Sequence, residues 1–195
     1  MINEITLILG KKRFGKTTLA YELTKNKRTL FIDPKGQLSA NDLEVVDFSP
    51  EIPTGRLKDF LSGKEERLAL YMPREQCMIL FGKLASLLFT NTDMQFWLVI
   101  DETQFFSDRS NIDVGLANLV SHGSHKGLNM IFIIREAHEI HKYLRSQSDN
   151  IISFRQDEPA DLDWCEKLLE NARETLPRLG RGEYVYLRKA AADFE

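Results

Sequence analysis

The chain has 195 residues, of which 43% are apolar and 28% are charged, and its formal net charge is −3. These values are ordinary for a globular protein and exclude nucleic-acid binding through a strongly basic overall charge. The sequence has no apolar run approaching the roughly 20 residues that a membrane-spanning helix needs. Cys77 and Cys165 lie far apart in apolar segments. We therefore expect both to be reduced core residues in a reducing compartment, the cytoplasm.

Short β-rich segments alternate with helical segments along the chain. Strands are predicted at residues 4–10, 28–33, 43–48, 68–72, 96–101, 128–134, 150–156 and 183–187, helices at 16–25, 74–89, 111–121, 136–147 and 160–173, and loops at 33–36, 49–55 and 176–183. Several strand segments are apolar throughout, which is typical of strands covered on both faces. The pattern predicts a three-layer α/β fold with a mainly parallel sheet, and residues 1–195 are expected to form a single domain.

The first predicted strand leads into a glycine-rich loop and then a helix. Gly10, Gly15, Lys16 and Thr17 fit the pattern G-x-x-x-x-G-K-[ST] without a mismatch. Glycines let such a loop curl so that successive N–H groups face phosphate oxygens, and the helix N-terminus adds partial positive charge. The pattern predicts a nucleotide cradle from Gly10 to Thr18, built mostly of backbone amides, with Lys16 at the β- and γ-phosphates and Thr17 on Mg²⁺.

Between its two glycines the loop departs from the common form. Lys11, Lys12, Arg13 and Phe14 stand there, and we include all four among the predicted nucleotide-binding residues. Many such loops carry another glycine at position 13. Two interpretations of Arg13 are open: it helps to hold phosphate, or it is a solvated side chain on a slightly altered turn.

A second chemical motif follows the apolar run 96–100. Asp101 and Glu102 come directly after this predicted buried strand. In a P-loop protein this is the expected Walker-B arrangement, in which Asp101 holds Mg²⁺ through water at the carboxyl edge of the sheet. Glu102 is then placed to activate an attacking water. The Asp-Glu pair favours hydrolysis over phosphate transfer to a bound acceptor. In such ATPases a polar side chain that ends the next strand senses the γ-phosphate, and Arg135 occupies that position here.

Taken in order, five segments resemble the HerA/FtsK superfamily of DNA-pumping P-loop ATPases, most closely the small genome-packaging ATPases of viruses. They are "LILGKKRFGKTTLA", "LFIDPKG", "WLVIDETQFF", "HGSHKGLNMIFIIREAHEI" and "IISFRQDEPADLDW", within residues 3–187. The resemblance implies a RecA-like (ASCE) fold, ATP and Mg²⁺ as cofactors, a homo-oligomeric ring, often a hexamer, and double-stranded DNA in its channel. It also implies a capsid or membrane-associated docking partner and, for a viral protein, the host cytoplasm or the virion as location.

The chain also departs from that family. Arg135 stands where the family commonly has a glutamine, and the turn at 121–126 lacks the arginine that often acts across a subunit interface. Arg135, Arg109 and Arg145 are therefore the candidates for a trans-acting arginine. Basic residues cluster at 25–28, 122–126 and 141–145, either as DNA contacts or as solvated surface.

Two other functions are compatible with the motifs. A P-loop kinase for a small molecule would need an acceptor pocket and an arginine-rich lid, for which "LPRLGRGE" at 176–183 is a candidate. An assembly or secretion ATPase of the Zot type would use nucleotide to control oligomerisation. The remaining motifs are interpreted mainly as structural. Asp33 ends a strand, either in a simple turn fixed by Pro34 or in a loop near the site or the next subunit. Phe105 and Phe106 pack in the core or an interface, with a channel loop as the alternative. His138 and His141 lack the spacing of a zinc motif, Trp164 packs inward, and Asp161 is a candidate helix cap.

Overall fold

The computed structural model describes residues 3–36, 38, 43, 45–48, 55–90 and 95–188. Within them lie eight strands: β1 Ile5–Leu9, β2 Thr29–Asp33, β3 Val45–Asp47, β4 Arg67–Tyr71, β5 Trp97–Ile100, β6 Asn129–Ile134, β7 Asn150–Ser153 and β8 Val185–Arg188. They form one sheet in the order β3-β4-β2-β5-β6-β1-β7-β8. All neighbouring strands run parallel except β8, which is antiparallel to β7. The predicted mainly parallel sheet is confirmed.

Helices connect the parallel strands. They are α1 Lys16–Leu23, α2 Gly55–Leu61, α3 Cys77–Thr90, α4 Val114–His122, α5 Lys142–Gln147, α6 Pro159–Glu166 and α7 Ala172–Thr175. Short 3₁₀ turns span Arg74–Gln76, Thr103–Phe105, Ser124–Lys126, Ala137–Glu139 and Leu176–Arg178. Among the described residues, none of the helices combines the length and apolar character needed to cross a membrane.

Side chains from the two faces of the sheet form two apolar cores, because successive residues of a strand point to opposite sides. Leu7 and Leu9 enter the larger core with side chains of α3 and α4, whereas Ile8 enters the smaller core with Ala20 of α1. The sheet is thus the middle of three layers, as predicted.

Cys77 and Cys165 are buried and form no disulfide, in agreement with the prediction. Burial raises the pKa of the Cys77 thiol to about 11 and that of the Cys165 thiol to about 12, so both stay protonated at neutral pH.

Several predicted elements end earlier or break. The predicted helix at 136–147 is a 3₁₀ turn followed by α5, because Ile140 and His141 adopt extended backbone and the His141 ring caps α5. The helix at 160–173 splits into α6 and α7 at Asn171, which has a φ of 61°. The prediction of Asp161 as a cap is wrong, since Glu158 holds the N-cap position and Asp161 lies inside α6.

Other differences concern connections. Helix α2 was not predicted, and β3 and β7 end at Asp47 and Ser153, earlier than the predicted strands. The predicted loop at 49–55 lies outside the described residues except for Gly55, which begins α2.

Candidate nucleotide site

The glycine-rich loop lies between the carboxyl end of β1 and the start of α1. Gly10, Gly15 and Arg13 have φ angles of 135°, 107° and 68°, so the chain curls tightly here. At Gly10 a side chain has no room, because a Cβ would lie 2.7 Å from the Cβ of Phe154. Phe154 follows β7 and is buried beneath the loop. The loop therefore has the curled backbone that the sequence pattern predicts.

Lys16 is buried at the start of α1 and folds back over the loop. Its Nζ donates hydrogen bonds to the backbone oxygens of Gly10 at 2.5 Å and Lys11 at 2.9 Å. Burial lowers the pKa of Lys16 to about 8, and the nearby carboxylates of Asp101 and Glu102 counteract this only in part. A bound polyanion would favour the charged form of this amine.

Asp101 directly follows β5, which pairs with β2 and β6 in the middle of the sheet. The Thr17 hydroxyl lies 3.4 Å from Asp101 Oδ2, and Asp101 Oδ1 accepts a hydrogen bond of 2.8 Å from the Glu102 N–H. Burial raises the pKa of Asp101 to about 6, and the charge of Glu102 adds to this. The Thr17 hydroxyl and the Asp101 carboxylate face each other and supply the oxygen ligands that Mg²⁺ prefers. A bound cation would also favour the charged form of Asp101, which burial disfavours. The pair therefore fits Mg²⁺.

Glu102 has a left-handed backbone with φ 49° and ψ 51° and is 9% exposed. One oxygen of its carboxylate accepts from Lys35 Nζ and the other from Gln104 Nε2. Both donors were missed by the sequence analysis. Lys35 follows β2 in the turn at 33–36, for which the sequence allowed either a simple strand-ending turn or a loop near the site. In the structure this turn lies beside the site.

The loop, α1 and the ends of β5 and β6 enclose a cavity of about 350 Å³. Its polar lining combines six cationic residues with two carboxylates and two threonines: Lys12, Arg13, Lys16, Lys35, Arg135, Arg181, Asp101, Glu102, Thr17 and Thr18. Such an excess of positive charge suits a polyanion with several phosphates.

Arg135 and Arg181 reach this cavity from different parts of the chain. Arg135 follows β6, which lies between β5 and β1, so it lines the cavity between the two motifs. Arg181 lies in the loop before β8, within the segment 176–183 that the sequence suggested only as a kinase lid. The Gly182 N–H donates to the Phe14 oxygen at 3.1 Å, which holds that loop against the glycine-rich loop.

The other residues of the glycine-rich loop face away from the cavity. The ammonium of Lys11 lies 2.5 Å from the Asp157 carboxylate, and its N–H donates to the Arg155 oxygen at 2.9 Å. Phe14 packs against the smaller core, with the Arg155 guanidinium 5.8 Å from its ring centre. Lys11 and Phe14 thus anchor the loop, and their side chains do not line this cavity.

The other candidate arginines and the basic clusters lie elsewhere. Arg109 and Arg145 line a separate groove of about 410 Å³ with Lys142 and Lys167. Lys27 and Arg28 of the first cluster and His125 of the second line a third groove at the amino ends of the strands. There the Lys27 ammonium lies 3.8 Å from the Trp97 ring centre.

His138 and Asp161 form a polar contact between the 3₁₀ turn at Ala137–Glu139 and α6. The Asp161 carboxylate lies 2.8 Å from His138 Nδ1 and accepts from the His138 N–H at 3.0 Å. The side-chain contact between Asp161 and His138 Nδ1, together with the charges of Asp161, Glu139 and Glu136, raises the pKa of His138. The Nδ1 of His141 instead accepts from the Tyr143 N–H, so the two histidines have separate partners.

No protein-family model and no curated protein sequence matches the chain. Its fold is nevertheless similar to solved structures. The genome packaging NTPase B204 from Sulfolobus turreted icosahedral virus 2, in complex with ATP-γS, is 20% identical, with a TM-score of 0.74 over 95% of this chain and 92% of that chain. VirB4 of Thermoanaerobacter pseudethanolicus is 12% identical, with a TM-score of 0.68 over 98% and 91%.

The N-terminal domain of zonular occludens toxin from Neisseria meningitidis is 14% identical, with a TM-score of 0.51 over 80% of this chain and 79% of that chain. At these identities the likeness concerns the fold. It confirms the α/β P-loop NTPase fold that the sequence predicts, a fold shared with the viral packaging NTPase B204.

Proposed function

We propose that the protein is a magnesium-dependent ATPase that uses hydrolysis to move double-stranded DNA, as one subunit of a homo-oligomeric ring. One observation carries the ATPase part of the proposal: Thr17 contacts Asp101, and Glu102 stands next to them in a cation-rich cavity beside Lys16. A hydrolase needs a metal-binding pair and an adjacent base in this arrangement, whereas a passive phosphate cradle needs only the loop.

Each residue has a distinct task in this proposal. Backbone amides from Gly10 to Thr18 hold the phosphates with Lys16, and Thr17 and Asp101 hold Mg²⁺. When bound, Mg²⁺ would supply positive charge that orients the phosphates and offsets their charge. The Glu102 carboxylate would accept the proton of the attacking water, and Arg135 would stabilise charge on the γ-phosphate.

The DNA and ring parts of the proposal have separate support. B204, with which this chain shares its fold over nearly its whole length, is a genome packaging NTPase. Two grooves offer basic side chains as phosphate contacts, one lined by Lys27 and the other by Arg109 and Arg145. A ring would repeat such a weak patch in each subunit, and salt would weaken DNA binding steeply. The hexameric number, the docking partner and the compartment stay predictions.

The test is phosphate release from ATP, with and without duplex DNA, by wild type, Glu102→Gln and the exposed control Glu174→Gln on α7. We expect DNA to stimulate turnover, Glu102→Gln to reduce it by about 10²–10⁴-fold, and the control to match wild type. Turnover that is indifferent to DNA and survives Glu102→Gln contradicts the proposal.

Arg181 favours one competing function, because it brings the predicted arginine-rich loop into the cavity. In a small-molecule kinase this arginine would contact the transferred phosphate. The same assay separates the functions: phosphate that appears on a metabolite indicates a kinase, and tight ATP binding with ring formation but negligible release indicates an assembly ATPase of the Zot type.

A further inference from the structure

Both oxygens of the Glu102 carboxylate accept a hydrogen bond from a neighbouring side chain. Lys35 Nζ donates to one oxygen and Gln104 Nε2 to the other, and the Glu102 side chain is only 11% exposed. A general base must direct an oxygen lone pair at the attacking water, and two neighbouring donors restrict the lone pairs that water can reach. The structure therefore shows a resting arrangement of the proposed base.

The backbone of Lys35 is fixed, so a change of partner would involve only its side chain. The buried Asp33 carboxylate accepts from the Lys35 N–H at 3.0 Å and from the Leu38 N–H at 2.8 Å. Gly36, with φ 64°, completes the turn. A lysine on such a support can swing its ammonium on a flexible four-carbon stem while the turn stays in place.

The surroundings of Lys35 determine what would attract its ammonium. Lys35 lines the same cavity as Lys16, Arg13 and Arg135, and its side chain is 28% exposed. Before a polyanion binds, Glu102 is the acid that pairs with Lys35. A triphosphate in the cavity offers competing oxygens with more negative charge than one carboxylate.

We propose that Lys35 is a positioning residue that senses the terminal phosphate of a nucleoside triphosphate. Without nucleotide it holds Glu102; with a triphosphate it moves to the terminal phosphate and releases that oxygen of Glu102. A diphosphate leaves the pair intact. This inference rests on the proposed function, since it assigns Glu102 as the base and the cavity as the phosphate site.

The test measures the affinities of AMPPNP and ADP, both with Mg²⁺, by calorimetry. The variants are Lys35→Met, Lys35→Arg, Glu102→Gln and the double variant Lys35→Met/Glu102→Gln, with Lys58→Met on the exposed face of α2 as the matched control. Loss of a charge-assisted contact predicts that Lys35→Met weakens AMPPNP binding about tenfold or more and leaves ADP binding within about twofold. Lys35→Arg should restore part of the loss, and Lys58→Met should bind both nucleotides like wild type.

Glu102→Gln provides the second half of the cycle. The Lys35–Glu102 pair must break before Lys35 can bind the triphosphate. Removing the negative charge of Glu102 should therefore strengthen AMPPNP binding, by up to about fivefold for a partly exposed pair. In the Lys35→Met background the same change should have no such effect. If the two mutations merely damaged the site, each would weaken the binding of both nucleotides, and their effects on the binding free energy would add.

The outcomes separate the inference from the function. Equal loss of AMPPNP and ADP affinity in Lys35→Met, or unchanged affinity for both, overturns the inference while the ATPase proposal stands. A folded wild-type protein that binds neither nucleotide overturns both.

Discussion

Gly10→Ala tests the geometry of the glycine-rich loop. An alanine here must adopt a φ of 135°, a region that favours glycine and costs about 1–3 kcal/mol for other residues. Its Cβ would also meet the Cβ of Phe154 at 2.7 Å, and such overpacking costs about 1–3 kcal/mol. We therefore expect the free energy of unfolding to fall by about 2–6 kcal/mol, a large part of the 5–15 kcal/mol typical of a domain.

The measurement is urea unfolding followed by tryptophan fluorescence. The matched control is Gly63→Ala, since Gly63 also has a positive φ, 78°, but a Cβ there would have no neighbour within 4 Å. This control should lose only about 1–2 kcal/mol. Nucleotide affinity should fall in Gly10→Ala alone, because displacement of Gly10 moves a backbone oxygen that holds the Lys16 ammonium.

Equal losses of stability in the two variants would refute the argument from Phe154. Failure of Gly10→Ala to fold, while Gly63→Ala folds, agrees with it. A stable Gly10→Ala protein with unaltered nucleotide affinity would show that the loop relaxes without moving Lys16.

Three further predictions each concern a single residue. Asp101→Asn should abolish the increase in melting temperature that Mg²⁺ adds to ATP while leaving a smaller ATP effect, as measured by thermal denaturation. Arg13→Gly should raise the free energy of unfolding by about 1 kcal/mol, because it relieves a φ of 68°, yet weaken ATP binding, because it removes a cation from the cavity; a change of the same sign in both quantities contradicts this. His138 has a raised pKa when folded, so it adds stability that is present below its unfolded pKa of about 6.5 and is lost as pH rises through the folded value. The loss of stability in His138→Gln, from urea unfolding, should therefore be larger at low pH than at high pH, and a pH-independent loss argues against the contact with Asp161.

The parts of the site that were predictable are local in sequence. The residues of the loop from Gly10 to Thr17 are contiguous. The two glycines predict its curled backbone, and Lys16 predicts its positive charge. Asp101 and Glu102 directly follow an apolar run, so their place at a strand end could be inferred. Arg135 was predictable for the same reason.

Lys35, Gln104 and Arg181 could not be placed from the sequence, because their role depends on which strands are neighbours. Lys35 reaches Glu102 only because β2 pairs with β5, and hydrophobic periodicity does not fix strand order. Gln104 bonds to Glu102 through a 3₁₀ turn that has no periodic signal. The position of Arg181 depends on a backbone bond between Gly182 and Phe14, two residues far apart in the chain.

The broken helices have a similar cause. The segments 136–147 and 160–173 have helical composition throughout, so the average pattern concealed single-residue interruptions. One interruption is the positive φ of Asn171, and another is the histidine side chain that caps α5. Both interruptions arise at single residues, which an average over the segment does not show.

The cavity is lined by the loop after β1 on one side and by the loop before β8 on the other. These two loops come together only when the strands between them are paired in the sheet. Nucleotide binding therefore depends on the folding of nearly the whole chain. By mass action, a nucleotide at one hundred times its dissociation constant would stabilise the folded state by about 2.7 kcal/mol. The cellular nucleotide level would then set how long the protein survives proteolysis, apart from any work that hydrolysis performs.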